Sequence, residues 1–397
     1  MGELVTIDAA LDAILGAVSP LEAERVALRD AHGRFLAHAA DSTIDLPPFA
    51  SSAMDGFAVR AADTPGRLPV SDSSAAGRPA SMALAAGAAI AIATGAVVPE
   101  GADAVVPMED VDQSDNIVAI ASPVALGANV RPRGGDVRQG ETVVPAGARI
   151  GAAQVGALAA AGVTEVVCVR QPRVRLLSTG TELRRPGEPL ANGQIYESNA
   201  PMLESALRAV GADVETLLPI EDDAEATRAA LAAGLDGEVL VTSGGVSVGT
   251  HDLVRSVGRE LGVEEVFWGV AMRPGKPLFF GVRGATLVFG LPGNPVSSLV
   301  AAMLFVRPAV LALQGALEPL PPWAVGALTA PVRRAPLRDD LLRARSTVTP
   351  VGVELTPITG QESHMITRAA LADALVHVPR GEGEIEAGSV ARYLRLD

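Results

Sequence analysis

The stretch "VLVTSGGVSVGTHD" (239–252) starts as an apolar run, passes into two glycines and a series of small or hydroxyl residues, and ends on an acid. This reads as a buried strand feeding a glycine-rich loop. The flanking sequence repeats the theme. Strand "RVRLLST" (173–179), helix "APMLESALRAVG" (200–211), strand "VETLLPI" (214–220), a helix from Asp222, strand "ATLVFG" (285–290) and a helix after "LPGNP" alternate from 171 to 317. Such alternation predicts a doubly wound α/β domain. Asn199 ahead of Pro201, and Asp222 three residues before Glu225, are expected to cap helices.

In such a sheet ligands collect beyond the carboxyl ends of the strands, where loops lead into helix N-termini. Three loops qualify: "LLSTGTEL" (176–183), "VTSGGVSVGTHD" (241–252) and "VFGLPGNPVSS" (288–298). Each joins glycine, which admits close backbone approach, to hydroxyls that bond oxyanions. Neither a G-x-G-x-x-G fingerprint nor a G-x-x-x-x-G-K-[ST] loop is present, which disfavours dinucleotide and P-loop readings. In "AMRPGKPLFFG" (271–281), Arg273 and Lys276 flank a turn where cations could meet a dianion. Glu182 and Asp252 are positioned either to cap helices or to hold Mg²⁺, which takes one or two carboxylates plus substrate oxygens and waters.

With 397 residues, the chain exceeds one ordinary core. A composition of 48% hydrophobic, 20% charged and 3% aromatic residues, with net charge −14, fits a globular protein and disfavours general attraction to nucleic acid or anionic membrane. The single cysteine, Cys168, sits in the apolar run "TEVVCVR" and reads as a buried hydrophobe. Histidines at 32, 38, 251, 364 and 377 form no zinc-hydrolase spacing, and no Ser-His-Asp set is evident. The acidic, amphipathic N-terminus lacks signal-peptide features, and neither 84–98 nor 300–313 gives about 20 uninterrupted apolar residues, so cytoplasmic residence without a membrane span is expected.

Outside the α/β section, Thr6 precedes Ile7, Leu11, Ile14 and Leu15 at helical spacing, and "ERVALRDAHGRFLAH" (24–38) suggests a strand and a short helix. From 46 to 139, short apolar runs are broken by Gly, Pro, Ser and Asp, the texture of a β-rich module. Four parts are expected: 1–45 with 140–170 as a helical or mixed framework, an inserted β-rich domain at 46–139, the α/β domain at 171–317, and a small C-terminal β domain at 318–397. In the inserted part, Asp55-Gly56 of "PPFASSAMDGFAV" (47–59) makes either a simple tight turn or a ligand-facing one.

These motifs together carry a resemblance. "PPFASSAMDGFAV", "ATGAVVPEGADAVVPMED" (93–110), "RPRGGDVRQGE" (131–141), "STGTEL" (178–183), "GQIYESN" (193–199), "TSGGVSVGTHD" (242–252), "RPGKP" (273–277) and "LPGNPVSS" (291–298) occur in the order found in the MoeA family of molybdopterin molybdenumtransferases, related to the gephyrin E domain. The match spans nearly the whole chain. It departs at Phe57, where Tyr is frequent, at Thr181, where Asp or Asn is common, and at Arg273, where Lys is frequent; Arg keeps the charge but changes donor geometry.

The resemblance implies a central molybdopterin-binding domain and an enzyme that takes adenylylated molybdopterin and molybdate, inserts the metal and releases AMP with Mg²⁺. Asp55, Glu182, Asp252 and Lys276 would be catalytic, with Glu182 and Asp252 on Mg²⁺. Substrate would be bound by Thr94, Asp136, Ser178, Thr179, Gly180, Ser243, Gly244, Gly245, Ser247, Gly249, Arg273, Pro292, Gly293, Asn294, Pro295, Ser297, Arg343 and Ser363; Asp223 and His364 match further family positions. The family also implies a homodimer in which the 171–317 domain faces the Asp55 turn of the partner subunit, and dealings with other molybdenum-cofactor enzymes. A molybdopterin adenylyltransferase and a non-catalytic molybdopterin-binding scaffold are the competing readings.

Overall fold

A computed structural model describes residues 4–220, 223–245 and 253–396. Ser247, Gly249, His251 and Asp252 lie outside the described residues, as does the expected cap Asp222. Contacts divide the chain into two units, one of 1–24, 33–37 and 168–397, the other of 25–32 and 38–167.

In the smaller unit, six strands form one sheet in the order Ala104–Pro107, Gly56–Val59, Ala89–Ile92, Gly66–Ser74, Ile117–Ile120, Val111–Ser114. Alternate side chains enter two apolar clusters: Phe57, Val59, Ala104 and Val106 in one, Ala58, Val105, Ile90 and Ile92 in the other. The three strands Gly56–Val59, Ala89–Ile92 and Ala104–Pro107 are therefore covered on both faces, which explains why they read as continuous apolar runs. Gly56 sits where a Cβ would lie 1.9 Å from the Val106 carbonyl oxygen, so no larger residue fits between the paired strands.

The larger unit is built on a second six-stranded sheet. Its order is Asp213–Thr216, Arg173–Ser178, Val239–Ser243, Thr286–Leu291, Phe279–Arg283, Glu264–Trp268. The first four strands are mutually parallel; the fifth, Phe279–Arg283, runs antiparallel to both its neighbours, and the sixth again points with the first four. The alternating pattern did not disclose this hairpin edge, because a short βα rhythm looks the same in either direction. Val174, Leu176, Val239, Val241 and Phe289 face one apolar cluster, Leu177, Leu240 and Val288 the other. Helices cover both faces, as expected for a doubly wound α/β arrangement.

Helix Ile7–Gly16 begins as the sequence predicts, with Thr6 Oγ1 accepting from the Ala9 amide at 3.1 Å. Its buried Ile7, Ala10, Leu11 and Ile14 join the larger unit's core. Asp223 caps helix Ala224–Gly234, accepting from the Glu225 and Ala226 amides at 3.0 and 2.8 Å. One expected cap is different. Asn199 lies inside helix Asn199–Arg208 as its first residue and its side chain points to neighbouring loops; the carboxylate of Glu197 takes the free amides instead.

The chain from Pro295 to Leu313 is continuously helical, passing through a π segment at Ala302–Val306. Among the described residues it is the one helix long and apolar enough to cross a bilayer, yet 78% of it is buried by the protein itself. It is the unit's central core helix.

The C-terminal part closes into a small barrel. Strand Asp339–Thr349 pairs through its first half with Ala374–Val378 and through its second with Gly352–Pro357, and strands Ala324–Leu328 and Val390–Arg395 complete the circuit. Closure removes sheet edges. One position stays open for a visitor: Met272–Arg273, from the α/β part, pairs in parallel with Asp339–Asp340.

Candidate active site

The first, second and third glycine-rich loops leave three adjacent parallel strands at the same end, and they line one cavity of about 640 Å³. Ser178, Thr179, Gly180 and Glu182 come from the first, Ser243, Gly244 and Gly245 from the second, Pro292, Gly293, Asn294 and Pro295 from the third. Backbone bonds set the spacing: Thr179 N donates to Ser243 O at 3.0 Å and Gly244 N to Leu291 O at 3.1 Å. The glycines are steric requirements. Gly244 has φ +92°, and a Cβ there would lie 2.7 Å from the Thr179 carbonyl oxygen.

Glu197 and Asn199 also line this cavity, and both are buried. Glu197 Oε1 accepts from Ser178 Oγ at 3.2 Å and from the Asn199 and Ala200 amides at 2.7 and 2.9 Å. Asn199 Nδ2 donates to Ser243 Oγ and to the Gly293 carbonyl, both at 2.7 Å. Sequence reasoning gave neither a part in the site, although an acid two residues ahead of a helix's first turn was a readable signal. One expectation about helix ends changes in consequence. The N-terminus after the first loop is already occupied by the Glu197 carboxylate, so it is not free for an anion.

A second cavity, about 610 Å³, adjoins the first and shares Pro277, Pro292, Asn294 and His364 with it. Arg273, Lys276, Ser297, Arg338 and Ser363 line it. The ridge between the cavities is the bond from Asn294 Nδ2 to Ser363 Oγ, 2.9 Å, and the Ser363 carbonyl accepts from Val296 N at 3.1 Å. Lys276 is exposed and has no ion pair among the described residues. Arg273 bonds the buried carboxylate of Asp340, which also lies 3.9 Å from Arg338 Nε. Part of the Arg273 charge is thus balanced within the protein.

Arg343 lines neither cavity. It is 1% exposed, and its Nη2 donates to the Gly360 carbonyl at 2.6 Å, while Nη1 and Nη2 lie 3.4 Å from the Glu362 carbonyl. Burial pushes its pKa down, with Glu362 opposing. Its place is behind the segment 360–364, which carries Ser363 and His364 to the cavities.

Glu182 is exposed and lines the first cavity; its carbonyl accepts from Ile195 N at 3.0 Å, while its carboxylate has no hydrogen-bond or ion-pair partner among the described residues. Its carboxylate stands over Gly180, where a Cβ would lie 2.6 Å from Oε2. No trio of His, Cys, Asp or Glu gathers among the described residues. A free oxygen donor in a cavity suits Mg²⁺, which needs few protein ligands.

Within the smaller unit, Asp55 and Thr94 belong to neighbouring loops, and Asp136 to a third, bonded to Leu46. Asp55 Oδ1 accepts from Thr94 N at 2.7 Å, and the Asp55 carbonyl accepts from Met108 N at 3.0 Å. Asp136 N donates to Leu46 O at 2.9 Å, and Arg133 Nε to Asp45 Oδ2 at 2.6 Å. The Gln139 amide and then Arg133 hold the Asp45 carboxyl below its usual range.

Three family models account for almost the whole chain: the MoeA N-terminal region, domains I and II, at 5–162, a probable molybdopterin-binding domain at 175–312, and the MoeA C-terminal region, domain IV, at 325–396. The chain belongs to the MoeA family. It is similar to molybdopterin molybdenumtransferase 2 of Mycobacterium tuberculosis, at 37% identity over 92% of this chain and 93% of the relative. It is also similar to the molybdopterin molybdenumtransferase of Haemophilus influenzae, at 34% over 97% of each. A solved MoeA structure from Pyrococcus horikosii superposes with a TM-score of 0.82 at 33% identity over 100% of both chains. The MoeA architecture thus includes the α/β sheet with its three loops and the small barrel beside it.

Proposed function

We propose that the paired cavities carry out the metal-insertion step of molybdenum-cofactor biosynthesis. The chain is a molybdopterin molybdenumtransferase: it takes adenylylated molybdopterin and molybdate, places molybdenum on the pterin's dithiolene and releases AMP. The observation that supports this most is the convergence of three glycine- and hydroxyl-rich loops on one cavity, beside a second lined by Arg273, Lys276 and Arg338.

Loop amides and the hydroxyls around 178–180 and 292–298 bind the phosphate and adenylyl groups, and Ser247 and Gly249 keep the substrate-binding role that the family resemblance gives them. Arg273 and Lys276 neutralise substrate charge. Glu182 and Asp252 hold Mg²⁺, which supplies charge neutralisation at the phosphoanhydride. Cleavage there needs compensated charge and an oriented attacking group, so no nucleophilic side chain is required. Arg343 acts by positioning Ser363 and His364.

The active form is a homodimer, with Asp55, Thr94 and Asp136 supplied to the site of the partner subunit. Phe49, Met54 and Met108 flank Asp55 with 39%, 36% and 56% of their surface exposed, an apolar rim suited to burial by another subunit. We retain the four-part division, the family boundaries at 162/175 and 312/325 supporting it, with Ile7–Gly16 added to the α/β core. Cytoplasmic residence and traffic with other molybdenum-cofactor enzymes belong to the same proposal.

The test is to mix purified protein with adenylylated molybdopterin, Mg²⁺ and molybdate, then follow AMP release and transferable cofactor. Release of AMP and active cofactor, dependent on both additions, is expected; if neither forms, the reading is wrong.

A further inference from the structure

Asn199 is bonded to two of the three loops, and the directions of its hydrogen bonds follow from the partners. The Gly293 carbonyl can only accept, so the atom facing it must be Nδ2; the reverse amide orientation would set two acceptors against each other. The second Nδ2 hydrogen goes to Ser243 Oγ, which therefore accepts. Ser243 must send its own hydrogen elsewhere, and Ser298 Oγ lies 3.5 Å away. Ser298 in turn donates to the Pro292 carbonyl. A directed chain thus runs Asn199, Ser243, Ser298, Pro292 across the cavity floor and returns to the third loop one residue from Gly293. Glu197 fixes its origin by binding the Asn199 amide and Ser178 Oγ.

Asn199 is 92% buried, and its Oδ1 has no hydrogen-bond partner. Native interiors seldom leave such an acceptor unmet without a functional reason.

We infer that Asn199 is a positioning residue for the reaction of this site: by spending both Nδ2 hydrogens on Ser243 and Gly293 it fixes the gap between the second and third loops. Ser243 consequently offers substrate a lone pair, its hydrogen being turned along the floor. The turnover part rests on the proposed function; the loop-spacing part does not.

The experiment compares Asn199→Asp, Asn199→Ala, Ser243→Ala and the Asn199→Ala/Ser243→Ala double variant in the full chain. Asp keeps the size of Asn but loses both donors. Amide hydrogen exchange at Thr179 and Gly244 is expected to rise at least tenfold in both Asn199 variants while Val241, mid-strand, stays protected. With adenylylated molybdopterin, kcat is expected to fall at least tenfold, and the double variant to be no worse than the poorer single. Asn199→Ser, which retains one donor, should fall between wild type and Asp, and serves alone if Asp does not fold. Wild-type exchange and kcat in Asn199→Asp, uniform exchange changes, or additive single effects would overturn the inference. If wild type itself does not turn over, the functional reading fails and the exchange data still decide the loop-spacing role.

Discussion

Asn294 and Ser363 join the two cavities' walls across the α/β sheet and the barrel: Asn294 Nδ2 donates to Ser363 Oγ at 2.9 Å, and the Ser363 carbonyl receives the Val296 amide at the start of the core helix. One residue of the barrel therefore caps the helix that begins at the third loop.

Ser363→Ala keeps the carbonyl cap and deletes only the hydroxyl. A stability loss of about 0.5–1.5 kcal/mol is expected, the range of one hydrogen bond. Paired with Asn294→Ala in a denaturation cycle, the two changes are expected to be non-additive, because they remove the same bond. Additive losses would show that the bond contributes nothing.

Arg343→Met deletes the donors that hold the Gly360 and Glu362 carbonyls. The expected cost is about 1–3 kcal/mol for buried acceptors left unmet, measured by calorimetry, together with reduced turnover because Ser363 and His364 lose their backing. Arg343→Lys cannot rebuild the two-nitrogen fork and is expected to recover little. Full activity in Arg343→Met would remove Arg343 from the functional set.

Gly56→Ala and Gly244→Ala separate fold from site. The first drives a methyl into the Val106 carbonyl between paired strands, and loss of the smaller unit's cooperative unfolding transition is expected. The second strains a positive φ against Thr179, so ligand binding is expected to fail while the overall circular-dichroism spectrum is kept. AMP titration and thermal melts distinguish the two outcomes.

Asp55→Ala, Asp252→Ala and Glu182→Gln are each expected to reduce turnover by at least tenfold in a folded protein. The two acids assigned to Mg²⁺ should also raise the Mg²⁺ concentration needed for half-maximal rate, whereas Asp55→Ala should not. Unfolding of these variants would favour turn and cap roles.

Glu238 gives an acid dependence. Burial alone would raise its carboxyl pKa, but Arg173 and Arg170 outweigh burial and bring it from 4.5 to about 2. A folded-state value below the unfolded one stabilises the fold above about 4.5, and that contribution disappears as pH falls towards 2. With the side chain 14% exposed, up to about 3 kcal/mol is involved. Glu238→Gln is expected to flatten stability against pH between 4.5 and 2, measured by chemical denaturation.

The three loops were legible because each follows a short buried strand and uses glycine where a side chain would collide, and both features are local in sequence. The helix cap at Thr6 was equally plain. Less local facts were hidden. The antiparallel edge depends on which strand Phe279–Arg283 chooses to pair with, and the Arg343 site depends on carbonyls 17 to 19 residues downstream. Asn199 looked like a cap because its type and position suit one. Burial beside two loops instead committed its amide to bonds that no helix-end pattern encodes.

The Met272–Arg273 segment bears on how this chain could be divided. A cut near 318 follows the sequence but not the hydrogen bonds: the fragment before it would keep the pairing segment, and the barrel after it would expose the edge at Asp339–Asp340 with Asp340 stripped of Arg273. Unpaired edges of this kind invite self-association. A soluble α/β fragment would need its own replacement for that edge, so the two parts are better regarded as a single unit of expression and inheritance.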